Sequence, residues 1–403
     1  MEQNITTHIA IPQTARLECG SEALRALFPH TAQGTIYIDH ASVGPLSTKV
    51  RDALVEHITR RSEREINTFA SDVEHARECR ARVAQLINAE SAERIAFFMN
   101  TSDALNVVPS GLRWRYGERI LLNDQEFPAN VYPYRNLRRY GVELDILATE
   151  DGAVCPEMIE RALRSAGGRI KIVALSAVQF LSGYRADVAA IGEICRQYHA
   201  LFIVDAIQAA GAVPLDVQAM HIDALAAGGQ KWLMAPTGIA FLYVTEELQH
   251  RIEQAHLGWL SVESPWDFFR YDQPLQASAK RYENGTINFI GILGLLASLE
   301  MLLELTPEAI ERHILQLTEY LLAELPLLGI FSHVSTFAPQ HRSGIVSAVL
   351  NDPTQGERIV EKLAQRSIRI SLREGRLRFS PHCYNTIEEI QGALAALREI
   401  MLV

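Results

Sequence analysis

Residues 200–231 read ALFIVDAIQAAGAVPLDVQAMHIDALAAGGQK. Two apolar runs bracket the stretch. Leu201 to Val204 ends in Asp205, with Gln208 following in the turn. Ala224 to Ala227 ends in Gly228 and Gly229 and delivers Lys231. A short apolar run closed by polar and small residues reads as a buried strand. An Asp at the end of such a strand is costly unless a charged or hydrogen-bonding partner meets it. A Lys just past a strand and a Gly pair is placed where ligands of open α/β sheets sit.

Taken singly, each residue has an ordinary reading. A strand-end Asp is a helix cap or turn residue, and a Lys is a solvated charge. Taken together, an amine and an acid at two strand ends suit pyridoxal phosphate. That cofactor needs a Lys for its aldehyde and an anion for its ring nitrogen.

Working outward, the runs continue upstream and downstream. From Ile95 they are IAFFM, RILL, VELDIL, IKIVALSAV, ALFIVD, DALAA and GIAFLYV, each followed by turn or helical residues. Strands alternating with helices predict βαβ units, a mostly parallel sheet and right-handed crossovers. The expected fold is α/β, with a seven-stranded, mostly parallel, doubly wound large domain over 36–290. A smaller α+β domain is expected from 1–35 plus 291–403, with strands near 344–350, 368–371 and 377–380. Before the sheet, 47–89 is helical in period with a break near Asn67 to Ser71. An irregular stretch, 254–288, is rich in Trp, Tyr, Pro and Ser and suits a functional loop or an interface.

With 403 residues the chain is long for one core, which predicts two domains. Hydrophobic residues at 48% and charged residues at 21% place it among globular proteins. A net charge of −10 argues against nucleic acid as the main partner. The opening MEQNITTHIAIPQ has neither a basic nor an apolar signal region, so no secretory signal is expected. No apolar run reaches the length of a membrane span. Five scattered cysteines without a CxxC pair fit a reducing cytoplasm rather than a disulfide framework. No metal-ligand spacing, P-loop or GxGxxG occurs.

Several strand ends carry candidate residues. Thr101 and Ser102 follow IAFFM at a helix start, where they serve either as a phosphate site or as a plain N-cap. Phe127, beside Pro128, either covers a flat ring or packs in the core. Gln179 is a polar group past IKIVALSAV. His40, in YIDHASVGP, is either a site residue or a turn residue capping the next helix. Arg378, in LRFS, is either an exposed arginine of a charged segment or a pocket-facing guanidinium. A guanidinium there would suit the carboxylate of an amino acid.

These motifs together resemble the class V aminotransferase family of fold-type I pyridoxal-phosphate enzymes, which includes cysteine desulfurases, kynureninase, isopenicillin-N epimerase and cysteine/cystine lyases. The resemblance rests on VDAIQ, GGQKW, EFPANVYPY, ENGT and LRFSPHCYNT and runs from YIDHASVGP to SPHCYNT. It implies that Lys231 bonds the cofactor's aldehyde and that Asp205 pairs with its ring nitrogen. It implies that Gln208 meets the phenolic oxygen and that Thr101 and Ser102 hold the phosphate. Phe127 would stack on the ring. Arg378 would bind the substrate carboxylate, helped by Gln179 and His40. A homodimer with shared sites is implied, Gly285 and Thr286 reaching the partner's phosphate.

The departures shape the expected chemistry. Gly228-Gly229-Gln230 replaces the Ser-Gly-His that commonly precedes the lysine in desulfurases, so other groups must help hold the phosphate. The loop SLREGRL before Arg378 has no cysteine, and Cys383 lies after it. A persulfide-forming desulfurase is therefore disfavoured, and Cys383 reads as structural. The expected reaction is at the α-carbon of a small amino acid, either transamination or cysteine/cystine-type β-elimination. An epimerase, a sugar aminotransferase and a non-catalytic scaffold on the same fold remain open.

Overall fold

The computed structural model describes residues 17–401. The MEQNITTHIAIPQ segment lies outside the described residues. A short strand, β1 (Ile36–Tyr37), precedes the large sheet. The sheet's strands are β2 (Ile95–Phe98), β3 (Arg119–Asn123), β4 (Glu143–Leu147), β5 (Ile170–Ser176), β6 (Leu201–Asp205), β7 (Ala224–Gly228) and β8 (Ala240–Val244). All seven runs read from the sequence are thus strands of one sheet, in the order β2-β8-β7-β6-β5-β3-β4. Only β8 runs antiparallel to its neighbours.

The apolar runs are continuous because both faces are covered. Alternate residues feed opposite cores. Phe202 and Val204 join Val173, Leu175, Leu225 and Phe241 on one face. Leu201 and Ile203 join Ile172, Ala174, Ala226 and Leu242 on the other. On the first face lie the helices Thr48–Glu63, Phe69–Leu86 and Phe289–Leu305, which pack on one another. No single helix among the described residues is long and apolar enough to cross a membrane.

A second unit has its own core, built from Leu317, Leu321, Val346, Ile359, Leu377, Phe379, Ile390 and Leu397 among others. Its sheet joins β9 (Phe331–Val334), β10 (Val346–Leu350), β12 (Ser371–Arg373) and β13 (Arg376–Phe379) in the order β12-β13-β10-β9. The short β11 (Ile368–Arg369) pairs in parallel with β1. Two details differ from the boundaries expected above. β1, assigned there to the large unit, pairs with the small one, and Asp39 continues the contact by bridging Ser380. Phe289–Leu305, assigned mostly to the small unit, packs on large-unit helices because apolar residues surround it on all sides.

The ENGT turn is fastened to the large unit from below. Arg80 Nη2 donates to Glu283 Oε1 at 2.6 Å, and that oxygen accepts the Phe97 N–H at 2.8 Å. Both side chains are buried. Glu283→Ala should therefore strand a buried guanidinium and cost about 3 kcal/mol, read by chemical denaturation. A loss below about 1 kcal/mol, the worth of an exposed pair, would overturn this reading.

Candidate active site

Four strand ends converge at one edge of the large sheet. β6 ends in Asp205. β7 turns through Gly228, Gly229 and Gln230 to Lys231. β2 leads into the Thr101–Gly111 helix, capped by Asn100, whose side chain accepts from Asp103 N at 2.9 Å. β3 leads into the turn of Glu126, Phe127 and Pro128.

Asp205 is 2% exposed. Its Oδ1 accepts the Ile207 N–H at 2.9 Å, and its Oδ2 has no partner. Burial pushes the carboxyl up to about 7, with the Ile207 N–H opposing the rise. Lys231 is pushed down to about 8, chiefly by burial, with Asp205 opposing and Arg378 assisting. Its Nζ stands 5.7 Å from the centre of the Phe127 ring. That ring is 43% exposed and edge-on to Phe180 at 5.2 Å. It therefore belongs to the mouth of the site and not to the core.

Thr101 Oγ1 is buried and has no partner. Half-buried Ser102 follows it on the first turn. The donors of a helix's first turn have no acceptor within the helix. Gly228 allows a close approach here. A Cβ on it would lie 3.0 Å from Thr101 Oγ1 and 2.5 Å from Gln230 Oε1. Gln230 thus sits beside the threonine where the resemblance left a gap.

Gln208 is buried and largely engaged. Its Oε1 accepts from Trp232 Nε1 at 2.7 Å, and its Nε2 donates to Ala41 O at 3.0 Å. One amide N–H remains. The indole can only donate, so it holds the carbonyl end toward itself.

Arg378 is 2% exposed, so it is not a surface arginine. It donates to Phe180 O at 2.7 Å, Ser42 Oγ at 2.7 Å and Ser371 Oγ at 3.2 Å. Burial lowers its pKa to about 10. It bonds the Phe180 carbonyl, and the Phe180 ring meets Phe127, which Lys231 Nζ approaches, so it lies in the same site.

Two expected helpers stand differently. His40 has no exposed surface. Its Nδ1 meets Ser380 O and its Nε2 meets the Tyr384 hydroxyl, both at 3.0 Å. Both nitrogens are used in joining β1 to the small unit, and burial holds the ring neutral, so His40 offers no atom to a substrate. Gln179 donates from Nε2 to Glu126 Oε1 at 3.0 Å, while its buried Oε1 is unpartnered. It braces a neighbour first.

That neighbour, Glu126, was not singled out from the sequence. Its carboxylate accepts from Asn123 Nδ2, Asn130 Nδ2, Ser176 N, Ser176 Oγ and Gln179 Nε2 at 2.5–3.0 Å. It ties the Phe127 turn to the ends of β3 and β5. An acid beside Phe-Pro just past a strand was the available signal.

Gly285 and Thr286 are not brought to Lys231 within this chain. They line a cavity of about 410 Å³ with Met99, Asp103 and Asn106, which neither Lys231 nor Asp205 borders. Cys383 is fully buried and its thiol is pushed well up by burial, as a structural cysteine would be.

The family model of class V aminotransferases matches residues 36–392. A protein of Methanothermobacter thermautotrophicus named probable cysteine desulfurase is 32% identical, over 91% of this chain and 94% of its own length. An uncharacterized aminotransferase of Bacillus subtilis is 28% identical over 93% of this chain and 96% of its own. Among solved structures, the apo cysteine desulfurase of Thermococcus onnurineus superposes with a TM-score of 0.86 at 26% identity, covering 96% of this chain and 98% of that one. A cystine C–S lyase in complex with its reaction product, cysteine persulfide, superposes at 0.82 and 26% identity, covering 92% and 99%.

The lowered pKa of Lys231 has a direct consequence. Only the neutral amine attacks an aldehyde, and its share grows as pH rises through about 8. Capture of added pyridoxal phosphate by cofactor-free protein, followed by visible absorbance, should quicken through that pH and level off above it. A rise centred near 10.5, the ordinary lysine value, would contradict the site described.

Proposed function

The chain belongs to the class V aminotransferase family, whose members use pyridoxal phosphate, and from that premise we propose that it cleaves the carbon–sulfur bond of a cysteine-type amino acid. The observation that carries this reading is the pairing of two orphaned buried oxygens, Asp205 Oδ2 and Thr101 Oγ1, with the depressed amine of Lys231. An acceptor for a ring N–H, a donor for a phosphate and a nucleophilic amine are what the cofactor requires. The sulfur chemistry comes from the similarity to a cysteine desulfurase and a cystine C–S lyase.

When bound, pyridoxal phosphate supplies an aldehyde for the substrate's amine and a ring that draws electrons from the α-carbon. Asp205 Oδ2 would accept its ring N–H. Thr101, Ser102 and the first-turn N–H groups would hold the phosphate, with Gln230 beside them. The remaining Gln208 N–H would meet the phenolic oxygen, and Phe127 would cover the ring at the mouth. Arg378 holds the α-carboxylate. Lys231 Nζ, near neutrality in its working range, takes the α-proton. Loss of that proton leaves an electron pair at the α-carbon. On the pyruvate route that pair would expel the sulfur with the Cβ–S electrons; on the alanine route an acceptor thiolate would attack the sulfur, and the Cβ–S electrons would stay on carbon and be protonated. Gly285 and Thr286 would serve a second copy's site, a role supported by their place in a cavity that this chain's own Lys231 does not border.

Relatives named cysteine desulfurase do not support the exclusion of a persulfide-forming enzyme drawn from SLREGRL, and lean against it. Both destinations of the sulfur therefore belong to the proposal. In one, an acceptor thiol takes the sulfur and alanine remains. In the other, cystine and water yield pyruvate, ammonia and a free persulfide.

Purified holoenzyme given L-cysteine or L-cystine should release sulfur detectable as sulfide after reduction, with alanine or pyruvate in equal amount. Lys231→Ala should lower the rate by at least about 1,000-fold, in line with loss of a base and a nucleophile. Keto-acid formation from many amino acids without sulfur release would overturn the reading in favour of transamination.

A further inference from the structure

β12 and β13 form a hairpin that turns through Glu374 and Gly375 at φ of 47° and 74°. Two successive residues at positive φ make the tight turn that suits twisted strands. The register pairs Ser371 with Arg378 and Arg373 with Arg376. Side chains alternate along a strand, so these four residues share one face. Three of them are arginines.

Two of the three have carboxylates. Arg376 Nη2 lies 2.7 Å from Asp151 Oδ1, and Arg378 Nη2 lies 3.8 Å from Asp39 Oδ1. Asp151 also takes His333 Nε2 and Ser335 Oγ, so it has little left to offer. Arg373 has no ion-pair partner among the described residues. Its Nη2 donates to Ser42 Oγ at 3.3 Å, the same hydroxyl that Arg378 Nη2 reaches at 2.7 Å. Arg376 and Arg378 are shielded, whereas Arg373 is exposed. Like charges opposite one another across a hairpin are unfavourable. Glu374, in the turn, pairs with none of the three among the described residues, so Arg373 is the arginine of this face without a carboxylate. The Ser42 hydroxyl that it shares with Arg378 places it beside the site, and both guanidiniums help to lower the Lys231 pKa.

We propose that Arg373 binds a second carboxylate of the substrate, so that the preferred substrate is a dicarboxylic, sulfur-bridged amino acid of the cystine kind. The inference rests on the carbon–sulfur reading above. Arg378, buried and held by three hydrogen bonds, is the fixed anchor for the α-carboxylate. Arg373, exposed and held by one, follows the far end of the molecule. Asp39 is shared among Ser42, Ser371 and Arg378, so it does not neutralise the second guanidinium.

The test compares two disulfides that differ at the far end. L-Cystine carries two carboxylates. S-Methylthio-L-cysteine carries the same scissile bond and one. Dissociation constants come from the change in bound-cofactor absorbance, which needs no bond cleavage, and kcat/KM from sulfur release. The wild-type holoenzyme should prefer cystine. In Arg373→Ala that preference should fall about tenfold, the worth of one charge-assisted contact, and Arg373→Lys should restore part of it. An unchanged ratio, an equal loss for both ligands, or no spectral response to either would overturn the proposal. Failure of the underlying reading is distinct: the binding ratio would shift as expected while no sulfur was released.

Discussion

The site depends on an acid and an amine held where water cannot stabilise their charges. β6 and β7 are buried along their whole length, so a polar group can stand only at their ends. Asp205 and Lys231 occupy two such ends and are displaced toward neutrality, the acid upward and the amine downward. With Asp205 buried, ionising that carboxyl in the folded chain is unfavourable from its ordinary value of 3.8 up to about pH 7. The folded carboxyl keeps its proton at pH values where the unfolded one has lost it, so cofactor-free stability falls as pH rises through that window. A ring cation beside Oδ2 would remove the penalty and add its own binding energy to the fold.

The large sheet was legible because its central strands β5, β6, β7 and β8 are buried and so are written as apolar runs, while the half-exposed edge strand β4 was read from its place in the alternation with helices. β9 was not. Its residues Phe331–Val334 are half-exposed at a sheet edge, and periodicity reports burial, not pairing. Lys231, Asp205, Gln208 and Arg378 were visible through position relative to strand ends. Glu126 was not, because its meaning lies in its donors. Asn123 and Asn130 are close in the chain, but Ser176 and Gln179 reach it from the neighbouring strand's end. His40 owed its expected site role to the resemblance; its place in a small-residue turn also allowed a turn residue capping the next helix. Only the pairing of β1 with β11 and the Asp39–Ser380 bridge reveal that its ring faces Tyr384.

The small unit is held over the site by polar contacts that also build the site. Asp39, on the segment crossing from β1, accepts from Ser42 and Ser371, and both hydroxyls in turn meet Arg378. Ser347 Oγ and Ser343 Oγ donate to the carbonyls of Leu181 and Gly183, on either side of the turn whose Phe180 carbonyl takes Arg378. A shift between the units would therefore move Arg378 relative to Lys231. Rigid placement of this kind is what lets a single arginine orient a substrate at an α-carbon.

The hairpin carries this logic furthest. The tight turn fixes Arg373, Arg376 and Arg378 on one face. The middle arginine of the three is spent on Asp151, binding the small unit to the large one. Arg373 faces it across the hairpin, exposed, and Arg378 lies two residues along its own strand, buried. On the proposal above, that fixed geometry would discriminate between substrates by where a second anion falls.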